Sequence, residues 1–259
     1  MFGKYALPGD DIGVTYATGV TASSSGSPPI SNEDPDYPAE NLISLSPSRP
    51  AKLTTTSGYW DVTFAAPVAI KGAAIIYHNF DAGLNVSVIG GPGLSPTFTQ
   101  AMTIPAHHED GWPVSPWVLF NTTQTYQTWR LSVNAANSQL PQVGRFVLIG
   151  ELRQLTEDVL WGEEESEEHT IVEMRTELGI ETIYPLGGKR RHFSGEFGIL
   201  NTSAATLISL YRSAQGRTLP WLLIPDTAVN DAWLVRFEES RWSRTRETYN
   251  HNRIPFRVQ

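Results

Sequence analysis

The sequence predicts a mainly β protein of two domains, and three observations lead there. Glycine (21) and proline (18) punctuate the chain often. Between them lie short runs rich in β-branched and aromatic residues, the pattern of a sandwich or barrel. Only one segment carries the full set of helix signals. At 259 residues the chain exceeds a usual single domain, so two are expected. Hydrophobic residues, at 40%, suffice for packed cores, and charged residues, at 18%, are too few for wholesale disorder.

The first half supplies strand candidates at Trp60–Phe64, 73–78, 86–89, Trp117–Phe120, Trp129–Val133 and 146–149. In Trp60-Asp61-Val62-Thr63-Phe64 the apolar residues fall on one face, so 60, 62 and 64 should point inward and Asp61 and Thr63 outward. Ala73-Ala74-Ile75-Ile76-Tyr77 is apolar throughout, which predicts a central strand covered on both faces. Residues 23–50 are rich in Ser, Pro and Asn without periodicity and read as a long surface loop.

A boundary is expected near residue 155, giving a first domain over 1–155. Glu163-Glu164-Glu165-Ser166-Glu167-Glu168 repels itself, so 156–169 reads as an acidic linker or an exposed strand edge. The second domain should span 170–259, with strands near 170–175, 192–197, 219–224, 232–237 and 254–258. Its helix is predicted over 203–215: Asn201, Thr202 or Ser203 can cap it, and Ala204, Leu207, Ile208 and Tyr211 repeat at helical spacing. Gly216 suits the left-handed C-terminal position.

Composition narrows function. A net charge of -8 and a pI near 5.2 argue against a phosphate-binding surface, so nucleic acid is not an expected partner. No apolar run approaches the roughly 20 residues of a membrane-spanning helix, so no membrane insertion is expected. The start, Met-Phe-Gly-Lys-Tyr-Ala-Leu-Pro, lacks the apolar core of a secretory signal, and synthesis in a cytoplasm is expected. Cys is 0, which removes disulfides and thiolate metal sites.

Three pieces carry a family resemblance: Val20-Thr21-Ala22-Ser23-Ser24-Ser25, Tyr37-Pro38-Ala39-Glu40-Asn41-Leu42, and Trp60–Phe64 followed by Ile75-Ile76-Tyr77-His78-Asn79. With Trp129–Val133 and 143–151 as closing strands, residues 12 to 155 resemble the discoidin-like, or galactose-binding-like, β-sandwich (jelly-roll) family. The resemblance implies that His78 and Asn79 sit at the sandwich rim and satisfy loop backbone groups. Arg191-His192-Phe193-Ser194-Gly195-Glu196-Phe197, the helix with Leu210-Tyr211, and 216–225 resemble the ring-forming β domain of bacteriophage distal tail or minor tail proteins. That resemblance implies a small β-sandwich with one helix, assembled as a homo-oligomeric ring around the tail axis among other phage tail proteins, hence a place in the virion tail after synthesis in a host cytoplasm. The two domains here run in the reverse of the usual order.

Motifs for catalysis are missing: there is no Gly-x-Ser-x-Gly elbow, no phosphate-binding loop and no His-Glu-x-x-His helix. No enzyme activity and no cofactor are expected. His107-His108-Glu109-Asp110 has metal-ligand residue types, but adjacent strand residues point apart, so no metal is expected there. Asn32-Glu33-Asp34-Pro35-Asp36 carries hard oxygens of the kind calcium takes, and a plain polar turn is the favoured reading. The loop from His107 to Trp117 holds Trp112 and Trp117 beside Asp110. Rings next to polar groups suit a shallow sugar site, so Trp112, Trp117, His107 and Asp110 are the candidate residues for host-surface glycan. The plainer alternative has both tryptophans plugging the sandwich. Arg236, Arg241, Trp242, Arg244 and Arg246 form a basic, aromatic stretch. Opposed to Glu163, Glu164 and Glu165, they make a candidate head-to-tail subunit interface.

Overall fold

In the computed structural model most of these runs become strands of antiparallel sheets. The structure describes residues 4–6, 21–25, 33–44, 49–91, 97–108, 113–154, 161–168, 171–175, 181–185, 190–216, 218–224, 228, 230–237, 245–246 and 251–258. In chain order the first strands are β1 (Lys4–Ala6), β2 (Thr21–Ser25), β3 (Ala51–Lys52), β4 (Gly58–His78), β5 (Asn85–Gly90), β6 (Phe98–Thr103), β7 (Trp117–Val133), β8 (Gln142–Ile149) and β9 (Arg153–Gln154). Then come β10 (Trp161–Glu168), β11 (Ile171–Arg175), β12 (Glu181–Pro185), β13 (Arg190–Leu200), helix α1 (Asn201–Ser213), β14 (Trp221–Ile224), β15 (Trp233–Val235), β16 (Thr245–Arg246) and β17 (His251–Val258). The described chain is thus mainly β with one α-helix. It divides into two units, Met1–Leu155 with Pro220–Leu234, and Thr156–Leu219 with Val235–Gln259.

The first unit is organised by two long strands. β4 and β7 pair along most of their lengths, with register breaks between Thr63 and Val68 and between Ile70 and Gly72. Before the breaks β4 has β2 as its other neighbour, and after them it has β8. The sheet therefore doubles over into two layers, β2-β4-β7-β5-β6 and β3-β8-β4-β7. Gly72 permits the second break, because a Cβ there would lie 2.5 Å from the carbonyl oxygen of Val118. Between the layers lies a core of Trp60, Val62, Phe64, Ala73, Ile75, Val88, Trp129, Leu131, Phe146 and Leu148. Residues 60, 62 and 64 point inward as their alternation predicts, while Asp61 meets Arg130 at 2.7 Å and Thr63 meets Thr128 at 3.2 Å outside.

The doubly apolar strand behaves as read from Ala73 to Ile76, while Tyr77 is exposed. Ala73 and Ile75 enter the first core, whereas Ala74, Ile76, Val147 and Ile149 enter a second core with Ala6, Leu222, Ile224 and Ala232. A small sheet ordered β15-β14-β1-β9 brings these covering residues. β14 pairs with β1, placing Tyr5 opposite Leu223, and the rings of Tyr5 and Trp221 meet edge to face at 6.4 Å. Burying a large aliphatic side chain is worth roughly 1.5–3 kcal/mol, enough to hold a remote segment on this face.

The domain expectation changes in one respect. Pro220–Leu234, assigned by sequence to a continuous second domain, belongs to the first unit. All four residues of Trp221-Leu222-Leu223-Ile224 are buried, and an apolar run of this kind does not announce which sheet it will complete. The expected loop at 23–50 is also more structured than predicted. Its start lies in β2, and a 3-10 turn at Ala39–Ile43 sets Ala39 and Leu42 fully into the first core.

In the second unit the described strands form a sheet ordered β10-β13-β17-β16, a β11-β12 pair and α1. The acidic run is a strand and not a linker. The backbone register sets Glu167 opposite Arg191 and Glu168 opposite Arg190. Helix α1 begins two residues earlier than predicted. Among its described side chains Leu207 and Leu210 are buried, as is Ala214 just past its end, so the stripe is rotated from the predicted one. Ile208 instead lines an outer groove with Ala205 and Arg212. Gly216 takes φ 64 and donates to the Tyr211 carbonyl at 3.0 Å, the C-terminal arrangement its sequence position foretells.

Candidate functional site

Strand register gathers four connections at one end of the sandwich. His78 lies opposite Val143, Val133 opposite both Gly58 and Val86, and Asn85 opposite Thr103. The loops 53–57, 79–84, 104–116 and 134–141 therefore leave the sheets together, and side chains lace them.

His78 is buried and fixed at both ring nitrogens. Its Nδ1 accepts from the Phe80 N–H at 3.1 Å, so its Nε2–H donates to the Val114 carbonyl at 2.7 Å. Burial lowers its pKa to about 4, outweighing the opposing pull of the Val114 hydrogen bond, and the charge of His107 lowers it further. The ring is neutral and structural. Asn79 donates to the Leu140 carbonyl at 2.9 Å and accepts from the Gln142 N–H at 2.7 Å. Both residues thus satisfy loop backbone groups, as expected of them.

Asn137, which the sequence reading passed over, is the central tie. Its N–H donates to Thr56, its amide donates to the carbonyls of Asn79 and Gln139, and its Oδ1 accepts from the Asp81 N–H at 2.8 Å. Asp81 in turn accepts from both the N–H and the hydroxyl of Ser138, at 2.6 Å each. Those bonds, the hydroxyl's first, hold its carboxyl below the usual range, with a smaller contribution from the charge of His107. His107 is exposed, and its Nε2–H donates to the Phe80 carbonyl at 3.0 Å. Its Nδ1 is left for a further hydrogen bond. Leu140 adds an apolar patch, 37% exposed.

Of the four glycan candidates, only His107 is placed on this rim. Asp110 and Trp112 lie outside the described residues. Trp117 packs half-buried against the second core, and its N–H donates to Asn230 at 2.9 Å. Beside it Asp231 is buried and accepts from the Ser115 N–H, the Trp233 indole N–H and the His108 Nε2. His107 and His108 therefore diverge, one to the rim and one to the docked segment. Glu33 and Asp34 have internal uses, accepting from the Ala39 N–H at 2.7 Å and pairing with Lys52 at 3.3 Å. Among the described residues no group of three or more His, Asp or Glu is disposed to hold a metal ion. Of the interface candidates, Glu163, Glu164 and Glu165 lie in β10 and Arg246 in β16. Arg236 follows β15, and Arg241, Trp242 and Arg244 fall outside the described residues.

No helix among the described residues is long and apolar enough to cross a membrane. By architecture the first unit is a two-layered antiparallel β-sandwich with a loop-built rim. No protein-family model matches the chain, and no curated protein matches it in sequence. Solved structures similar to part of it include a family 32 carbohydrate-binding module from C. perfringens NanJ in complex with galactose. That similarity has 11% identity and a TM-score of 0.39, covering 56% of this chain and 98% of that one. The lectin domain of lectinolysin, complexed with Lewis B antigen, is similar at 10% identity and TM-score 0.39, over 52% and 96% of the two chains. A chitosan-binding module from a Paenibacillus chitosanase/glucanase is similar at 11% and 0.40, over 56% and 99%.

Proposed function

We propose that the first unit is a binding module for a polyhydroxylated ligand, a host-surface glycan, held at the loop rim without any bond being made or broken. The observation that carries the reading is the lacing of the rim. Asp81, Ser138, His107 and Leu140 stand on loops already fixed to one another through Asn79 and Asn137, so little ordering entropy remains to be lost on binding. Each Asp81 oxygen keeps acceptor capacity beyond its Ser138 bond, His107 offers a further hydrogen-bonding nitrogen, and Leu140 suits the C–H face of a pyranose. The structures similar to part of the chain include a module in complex with galactose and a lectin domain complexed with Lewis B antigen, which accords with the reading without carrying it.

A glycan array probed with the full chain tests this. Retention of at least one glycan is expected, weakened tenfold or more by Asp81→Asn and by His107→Ala. Trp117→Ala should instead lower stability. Binding untouched by the first two substitutions would remove the rim from consideration, and an array with no retained glycan would end the glycan reading.

A second reading, a tail-tip component that forms a ring through its second unit, draws on one structural observation. Among the described residues β10, which holds five glutamates, and β16 (Thr245–Arg246) are the outer strands of one sheet.

A further inference from the structure

We propose that Asn230-Asp231-Ala232 is a clamp on the rim loop 104–116, and that Asp231, 116 positions from the Ser115 it holds, is a positioning residue for ligand on that rim. The inference rests on the glycan reading of the rim. Four bonds join the segment to the loop. The Ala232 N–H donates to the Ser115 carbonyl at 2.8 Å, and the Ser115 N–H donates to Asp231 Oδ1 at 2.9 Å. The Trp117 N–H donates to Asn230 Oδ1 at 2.9 Å, and His108 Nε2 lies 3.2 Å from Asp231 Oδ2. Asp231 is itself buried and steadied by the Trp233 indole N–H at 2.8 Å.

The far end of the loop is thus gripped from two sides. The carbonyls of Val114 and Pro116 turn to β4, where they accept from His78 Nε2 at 2.7 Å and from the Ile75 N–H at 2.9 Å. Both backbone groups of Ser115 and the N–H of Trp117 turn the other way, to the segment. Residues 114–117 therefore run like a strand between β4 and the clamp, and both sides must be filled for the path to hold, because backbone polar groups shut away from water need partners. The histidines carry this to the rim. His108 turns to Asp231 while its neighbour His107 turns to the Phe80 carbonyl at 3.0 Å, so holding the first aims the second. With the clamp released the loop takes other paths, the share of molecules with His107 on the rim falls, and apparent affinity falls by the same factor. Linkage makes the effect reciprocal: a glycan held on the rim tightens the clamp.

Substitution in the full chain tests this, read by the His107 imidazole resonance and by glycan affinity. The probe is the glycan that the unmodified chain retains most strongly on the array. Asp231→Ala and the milder Asn230→Ala should each shift the resonance and weaken binding about fivefold or more. Leu148→Ala, in the first core, should lower stability yet leave both readouts at the parent's values, so a general loss of stability cannot imitate the result. Circular dichroism confirms that each variant is folded. Should both clamp variants unfold, amide exchange in the unmodified chain decides. The N–H groups of Ser115, Trp117 and Ala232 should then exchange about fivefold or more slowly once the glycan is bound. Folded clamp variants that leave His107 or the affinity unchanged overturn the proposal, as does amide exchange indifferent to the glycan. If the unmodified chain retains no glycan, the rim reading fails by itself, and the His107 resonance alone decides whether the clamp positions the loop.

Discussion

His78 shows how one residue's environment sets its chemistry. A histidine with neutral pKa near 6.5 when unfolded and about 4 when folded binds its proton first in the unfolded chain as pH falls. Its contribution to stability is therefore complete above about pH 6.5 and lost progressively toward pH 4. Between pH 7.5 and 5 the loss should be roughly 2 kcal/mol. Urea unfolding at the two pH values measures it. A His78→Gln variant should be less stable at pH 7.5 yet lack that part of the pH dependence, and an unchanged slope would show that His78 is not its source. Asp81 acts in the same direction at lower pH. Its depressed pKa favours the fold above the ordinary carboxylate range and ceases to do so in strong acid. His78 and Asn79 could be marked as rim residues only through the family resemblance of the strand that runs into them. Asp81 and Asn137 left no such trace, since their meaning lies in bonds across 56 positions.

At the scale of elements, strand β4 carries the argument. Its first half alternates and its second half is continuous, so single truncations should behave differently along it. Ile75→Ala opens the first core and Ile76→Ala the second, and each should cost about 2–5 kcal/mol in denaturant unfolding. Thr63→Ala, on an outer face, should cost well under half as much. Equal costs for Ile76→Ala and Thr63→Ala would deny the second core its role. The pattern was readable because period-two burial and two-sided burial write different sequences. Helix α1 was found by the same kind of local signal. Its buried stripe was misjudged, because four apolar residues on adjacent rows leave the choice of face to the sheet beneath.

For the whole molecule, the decisive feature is a chain that leaves the first unit at Leu155 and re-enters it at Pro220. A fragment ending at 155, the natural choice from sequence, should lose Leu222, Ile224 and Ala232 from the core they share with Ala74, Ile76, Val147 and Ile149. It should bind a hydrophobic dye, unfold at lower temperature than the full chain and tend to aggregate. Grafting 220–234 onto it through a flexible linker should reverse these effects, and a well-behaved fragment without the graft would refute the covering role. Alternation, glycine and proline punctuation and helix-capping residues are local properties, and the sequence by itself determined from them the β class, most strands and the helix. Only the tertiary structure decided which distant run completes which sheet, which face of a helix is buried and which loop side chains meet at the rim. Those choices depend on surfaces brought together across the chain, and an apolar or polar residue carries no label for the partner it will find.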